Sequence, residues 1–190
     1  KKMILKHPCW IYNKSLPKNI CNNIIDFALQ KNNIKPGTTG GKNLTKNRNS
    51  NIVWNNEPWI KRLVMNYILD ANKSAGWNFK IDNSEDIQFT IYGPDQYYDW
   101  HVDSWEKPYK ESGKIRKLSI SILLNYEFEG GEFLLNNRNH ELVNNIIPIN
   151  QSKDAGTVIV FPSHILHKVN RVTRGTRYSL VGWSLGDPFH

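Results

Sequence analysis

Leu118-Ser119-Ile120-Ser121-Ile122-Leu123-Leu124 alternates apolar and small polar side chains with a period of two, the pattern of a β-strand with one face against a core. The same period recurs in Ile87, Phe89 and Ile91, in Val158 and Val160, and in Val169, Tyr178 and Leu180. These runs are short. Turn signals separate them at Gly93-Pro94, Gly130-Gly131, Phe161-Pro162 and Arg174-Gly175, with no helical pattern between, so an antiparallel sandwich or barrel is predicted, with a jelly roll its natural form. Upstream the period changes. Leu16-Pro17-Lys18-Asn19 can start a helix carrying Ile20, Ile24, Ile25 and Ala28 at three- and four-residue spacing, and Pro36-Gly37 and Gly40-Gly41 end that unit. A polar loop rich in Asn, Thr and Gly follows, and residues 59–75 carry a second amphipathic pattern through Ile60, Leu63, Val64, Tyr67 and Ile68. The expected architecture is mainly β with flanking helices. It is a single domain over 1–190, mostly helical over 1–80, with a jelly-roll core over 85–185 and the N-terminal helices packed on one sheet.

Composition agrees with a globular chain. Of 190 residues, 39% are hydrophobic and 22% charged, and a chain of this length buries roughly 70% of its unfolded surface, so no disulfide framework or structural metal is needed to hold a core. Cys9 and Cys21 form no CxxC pair and read as free thiols. No apolar run approaches the roughly 20 residues that span a bilayer. The N-terminus lacks an apolar stretch of signal-peptide length, Met3 reads as a natural start, and a cytoplasmic location, in a bacterium or a virus-infected cell, is the expectation. The net charge of +8 is scattered, with no block of five like charges, and reads as a solvated basic surface, with nucleic acid the main rival interpretation.

Chemistry concentrates in Tyr97-Tyr98-Asp99-Trp100-His101-Val102-Asp103. Residues two apart on a strand share a face, so His101 and Asp103 present an imidazole and a carboxylate side by side. Such a pair alone is common. A second histidine, His167, follows the Phe161-Pro162-Ser163 turn, and two histidines with one carboxylate make the facial set of non-haem iron(II) oxygenases, a set that favours iron over zinc and leaves coordination positions open. His164 competes for the distal position, but it directly follows the turn, whereas His167 enters the strand before Val169. His7, His140 and His190 have no partner pattern. Arg177, ten residues beyond His167, alternates inward with Ser179, and an inward guanidinium needs an anion, for which a carboxylate is the bidentate match.

Taken together, Tyr92, His101-Val102-Asp103, Leu124-Asn125, Gly130-Gly131-Glu132-Phe133, Gly156 to Ser163, His167 and Gly175-Thr176-Arg177-Tyr178 with Trp183 behind resemble the iron(II)- and 2-oxoglutarate-dependent dioxygenases of the prolyl 4-hydroxylase-like type, including the bacterial and phage PKHD-type hydroxylases. Arg48-Asn49-Ser50-Asn51-Ile52-Val53-Trp54 also looks like the N-terminal segment of the phage members. The resemblance implies a double-stranded β-helix core. It implies iron on His101, Asp103 and His167, with 2-oxoglutarate chelating the metal and its distal carboxylate meeting Arg177 and the Tyr92 hydroxyl. It further implies dioxygen as second cosubstrate, ascorbate as an accessory reductant, and hydroxylation of a C–H bond, most naturally of a prolyl residue in a peptide or protein. Where some relatives carry a second cosubstrate-binding tyrosine, this chain has Leu123. The aperiodic stretch 104–113 reads as a lid over the site, whose Trp105 and Tyr109, with Trp183, are candidate substrate contacts. Two other uses of the same iron site stay open: oxidative nucleic-acid demethylation, suggested by the charge and by Asn170-Arg171 with Arg174 and Arg177, and hydroxylation of a free amino acid.

Overall fold

The computed structural model describes residues 6–31, 33–38, 47–104, 107–136, 146–149 and 154–189. In chain order the elements are β1 (Trp10–Tyr12), α1 (Lys18–Gln30), β2 (Lys35–Pro36), β3 (Arg48–Asn49), β4 (Asn51–Asn55), α2 (Pro58–Ser74), β5 (Asn83–Ser84), β6 (Ile87–Tyr92), β7 (Tyr97–His101), β8 (Ile115–Leu123), β9 (Phe128–Gly130), β10 (Phe133–Asn136), β11 (Ile146–Pro148), β12 (Val158–Pro162), β13 (Leu166–Val169), β14 (Val172–Gly175) and β15 (Arg177–Gly186). Two antiparallel sheets form a jelly roll. The major sheet runs β1-β12-β8-β15-β6-β4-β2 with β5 on β15, the minor sheet runs β11-β10-β13-β7-β3, and β9 with β14 makes a separate ribbon.

Alternation along the major sheet gives it two apolar faces. Leu118, Ile120, Ile122, Val158, Val160, Phe89 and Leu180 meet the helices, where α1 buries Cys21, Ile24 and Ala28 and α2 buries Ile60, Val64, Ile68 and Ala71 at helical spacing. On the other face Tyr92, Ile159 and Phe161 meet Phe133, Leu135 and Val169 of the minor sheet. Both cysteines are free, with Cys21 buried in α1. Among the described residues no helix is long and apolar enough to cross a membrane.

The first 80 residues hold more strand than their local pattern predicts. Helices form where the periodicity places them, but part of the expected polar loop is β4, which pairs with β6 from Asn51↔Ile91 to Asn55↔Ile87. Its main chain pairs with a strand far along the sequence, a non-local reward that no local pattern encodes. β1 likewise joins the sheet edge through Trp10↔Val160.

Gly182, in β15, shows how closely α2 is held. A Cβ there would lie 2.9 Å from Val64 Cγ1 and 3.1 Å from Ile87 Cδ1, so α2 rests almost on the strand backbone. Gly182→Ala is expected to cost about 1–3 kcal/mol by overpacking, a fall of several degrees in the thermal midpoint, read by calorimetry. An unchanged midpoint would mean that the helix is free to shift.

Candidate active site

The site lies between the two sheets, and the strand register brings its residues together. His101 ends β7 and pairs directly with His167 of β13. Arg177 starts β15 and pairs with Tyr92 at the end of β6. The minor sheet thus carries the histidines, and the major sheet faces them with an arginine and a phenol.

Asp103 arrives differently from the strand alternation expected of it. β7 stops at His101, and the chain bends so that the Asp103 and Ser104 amides both donate to the Ser163 carbonyl, at 2.9 and 3.0 Å. The carboxylate nevertheless reaches the imidazoles. Its Oδ1 is 3.7 Å from His101 Nε2 and its Oδ2 3.4 Å from His167 Nε2, and one ligand atom from each of the three residues falls within 4.8 Å of the others. His164 stands outside this cluster, exposed, with its ring edge-on to Phe189.

The histidine tautomers follow from their partners. His101 Nδ1 lies 2.7 Å from the Asp99 carbonyl and His167 Nδ1 2.9 Å from the Ile165 carbonyl. A carbonyl can only accept, so each Nδ1 carries a proton and each Nε2 turns a lone pair inward, the arrangement a metal-binding histidine needs. Burial, with His167 beside it, pushes the His101 imidazole down to about 3, so it is neutral near pH 7. Burial alone would raise the Asp103 carboxyl, but the adjacent imidazoles and Arg116 outweigh it and hold the group well below the usual carboxylate range. Two imidazole nitrogens and one carboxylate oxygen, converging in a buried place, fit a divalent first-row ion.

The cavity beside this cluster has a volume of about 270 Å³. Arg177 lines it, is 1% exposed, and forms no ion pair among the described residues. Its Nη1 donates to Ser179 Oγ at 3.0 Å, and its Nε has no partner among the described residues. Burial disfavours its charge, which the neighbouring Tyr92 partly offsets. Burial raises the Tyr92 phenol, keeping it a neutral O–H donor. A buried, unmatched guanidinium is costly, and its planar donors match a carboxylate in shape and charge. Leu123 points to the same interior and pairs with Ser179, but it brings no hydroxyl.

At the mouth, Trp183 and Tyr109 line the cavity, while Trp105 lies outside the described residues. Trp183 faces Trp54 with ring centres 6.2 Å apart and carries the Arg116 guanidinium 3.8 Å above its ring. Arg116 makes a two-pronged ion pair with Glu85, which also accepts from the Tyr109 hydroxyl. Sequence reasoning gave Arg116, Glu85 and Ser119 no role and treated Arg48 only as part of a resembling segment. Arg48 is buried, lines the cavity, and lies 4.6 Å over the Tyr98 ring. A basic residue inside an otherwise strand-like run was the only local signal for Arg116, and Arg48, set among polar residues, had none beyond the resemblance.

A curated PKHD-type hydroxylase of Prochlorococcus marinus (strain MIT 9301) is 33% identical over 143 residues, 74% of this chain and 57% of that one. A putative prolyl 4-hydroxylase of Acanthamoeba polyphaga mimivirus is 32% identical over 143 residues, 70% of this chain and 54% of the other. The chain therefore spans little more than half the length of these curated relatives. The crystal structure of a Pseudomonas putida prolyl-4-hydroxylase superposes with a TM-score of 0.74 at 19% identity, covering 94% of this chain and 93% of that one, which establishes the shared fold. The model of the 2OG-Fe(II) oxygenase superfamily matches residues 87–185, the span that holds Tyr92, the His-Asp-His cluster and Arg177. The chain belongs to the 2OG-Fe(II) oxygenase superfamily, the iron(II)- and 2-oxoglutarate-dependent dioxygenases.

Proposed function

We propose that this protein hydroxylates a prolyl residue in an extended peptide segment, using iron(II), 2-oxoglutarate and dioxygen. The observation that carries the choice of substrate is a surplus of hydrogen-bond donors in the cavity wall. Arg48 Nη2 and Trp183 Nε1 are both buried and without partners among the described residues, and both residues line the cavity. A substrate that satisfies them must bring acceptors. A peptide brings main-chain carbonyls, and at proline it brings no N–H to compete for them. The indoles of Trp54 and Trp183 offer apolar surface to the imino ring. The curated mimivirus relative, a putative prolyl 4-hydroxylase, supports the same reading.

The division of labour follows from the residues. His101, Asp103 and His167 would hold an iron(II) ion, which would supply the oxidative chemistry: one atom of dioxygen would go into succinate as 2-oxoglutarate loses carbon dioxide, and the other would turn a C–H bond into C–OH. Arg177 binds the distal carboxylate through Nε, and Tyr92 donates its hydroxyl to the same group. Phe133 and Phe161 wall the His167 ring from water, with ring centres 5.8 and 4.6 Å from it. Trp183, fixed under the Arg116–Glu85 pair, sets the rim against which the substrate lies.

Nucleic-acid demethylation has less to stand on. Of the three arginines that suggested it, Arg171 pairs with Asp95 and Arg174 with Glu129 at the surface, and Arg177 alone lines the cavity. The test is succinate release with proline-containing peptides against methylated oligonucleotides at matched salt, with product mass. Peptides are expected to gain one oxygen, with turnover nearly flat in salt, whereas a substrate held by roughly six to ten phosphates would weaken by orders of magnitude. Turnover coupled only to methyl loss from an oligonucleotide would overturn the prolyl reading.

A further inference from the structure

Behind the metal cluster lies a buried chain of hydroxyls that ligand chemistry alone does not call for. Ser119 Oγ is 2.7 Å from Asp103 Oδ2, and Ser163 Oγ is 2.9 Å from Ser119 Oγ. Ser119 and Ser163 are fully buried, and Asp103 is 7% exposed. The direction of the chain is fixed by its end: Ser119 donates to the Asp103 carboxylate oxygen, so Ser163 is left to donate to Ser119. Ser163 also grips Asp103 through the main chain, because its carbonyl receives the Asp103 amide at 2.9 Å and its own amide donates to the Lys117 carbonyl at 3.0 Å. One residue in the turn before His167 thus ties together the segment bearing the distal histidine, the bend bearing the carboxylate, and β8.

We infer that Ser119, backed by Ser163, is a positioning residue that occupies one oxygen of Asp103 and so makes the carboxylate a single-oxygen ligand. This rests on the metal-site reading above. A carboxylate with both oxygens free can bind an ion through both, taking an extra coordination position. With Oδ2 engaged by Ser119, Oδ1 is left for the metal, and the positions that a chelating cosubstrate and dioxygen require stay open. The hydrogen bond also locks the side-chain rotamer, so that the carboxylate meets the histidine nitrogens without reorganising when the ion arrives.

The test uses the purified chain and cobalt(II) as the probe, with three readouts: cobalt affinity, the cobalt visible spectrum, and the melting temperature of the metal-free protein. Ser119→Ala is expected to weaken cobalt binding about 10- to 100-fold and to change the spectrum, with metal-free melting little altered. Ser163→Ala, which leaves the Ser119 hydroxyl in place, should act in the same direction but less strongly. Ser119→Thr, which keeps the hydroxyl, should restore the wild-type spectrum. Unchanged affinity and spectrum in Ser119→Ala would overturn the inference, as would an affinity loss that tracks a fall in metal-free melting with the spectrum unaltered. His167→Ala is the control that separates the two levels: if it too binds cobalt like wild type, the metal-site reading itself fails, and the role of Ser119 falls with it.

Discussion

Asp103→Ala is expected to abolish specific binding of iron(II), or of cobalt(II) or manganese(II) in its place, and to reduce succinate formation to background. The carboxylate is the only anionic member of the cluster, and its removal leaves two neutral imidazoles, which for a hard divalent ion in a buried site is too little charge and too few donors. The loss should exceed the roughly 10- to 100-fold effects typical of groups that merely support a ligand. His167→Ala should behave in the same way, whereas His164→Ala should bind metal and turn over like wild type, since its ring lies against Phe189 and away from the cluster. Metal titration by calorimetry on all three variants checks this. The account fails if His164→Ala loses metal and His167→Ala retains it.

Arg177→Ala is expected to raise the Michaelis constant for 2-oxoglutarate strongly while leaving the affinity for the metal alone near wild type. Arg177→Lys should recover only part of the loss, because an ammonium is a point charge without the planar fork that matches a carboxylate. Stability provides a second readout. In the metal-free, ligand-free protein the guanidinium is buried with its Nε unpartnered, and replacing such a group by an apolar one of similar length is often neutral or stabilising. Arg177→Met should therefore melt no lower than wild type in the absence of cosubstrate. Wild type with metal should gain about 2.7 kcal/mol from 2-oxoglutarate at one hundred times its dissociation constant, and Arg177→Met should gain almost nothing. Equal stabilisation of the two proteins by 2-oxoglutarate would remove Arg177 from the binding site.

The difference between what local sequence reveals and what only folding reveals is visible in these residues. His167 and Arg177 could be set on a face because alternation is written in their strand neighbours, whereas Tyr92 was picked out only by the family resemblance and His101 by its spacing to Asp103. The jelly roll was legible in part from the alternation of β6 and of residues 118–122 in β8, and in part because β12 and β15 read as short apolar runs between turn signals. Asp103 was placed correctly for an incomplete reason, since a bend anchored on the Ser163 carbonyl carries it into the cluster after β7 has ended. β4 was missed because Asn51 and Asn55 flank three adjacent apolar residues, Ile52, Val53 and Trp54, with no alternation, and its strand character comes from β6. Arg48, Glu85, Arg116 and Ser119 were invisible as site residues because their meaning lies in partners many positions away: Glu85 exists to hold Arg116 on Trp183, and Ser119 to hold Asp103. Supporting groups of this kind are defined by pairs, and a single sequence displays its residues one at a time.

The measurement that bears most directly on the whole account is a crystal structure of the protein grown without oxygen in manganese(II) and 2-oxoglutarate. The account predicts one metal ion bound by Nε2 of His101, Nε2 of His167 and a single oxygen of Asp103, with the distal carboxylate of 2-oxoglutarate on Arg177 and the Tyr92 hydroxyl. A metal seated on His164, or a cosubstrate whose distal carboxylate lies away from Arg177, would contradict it.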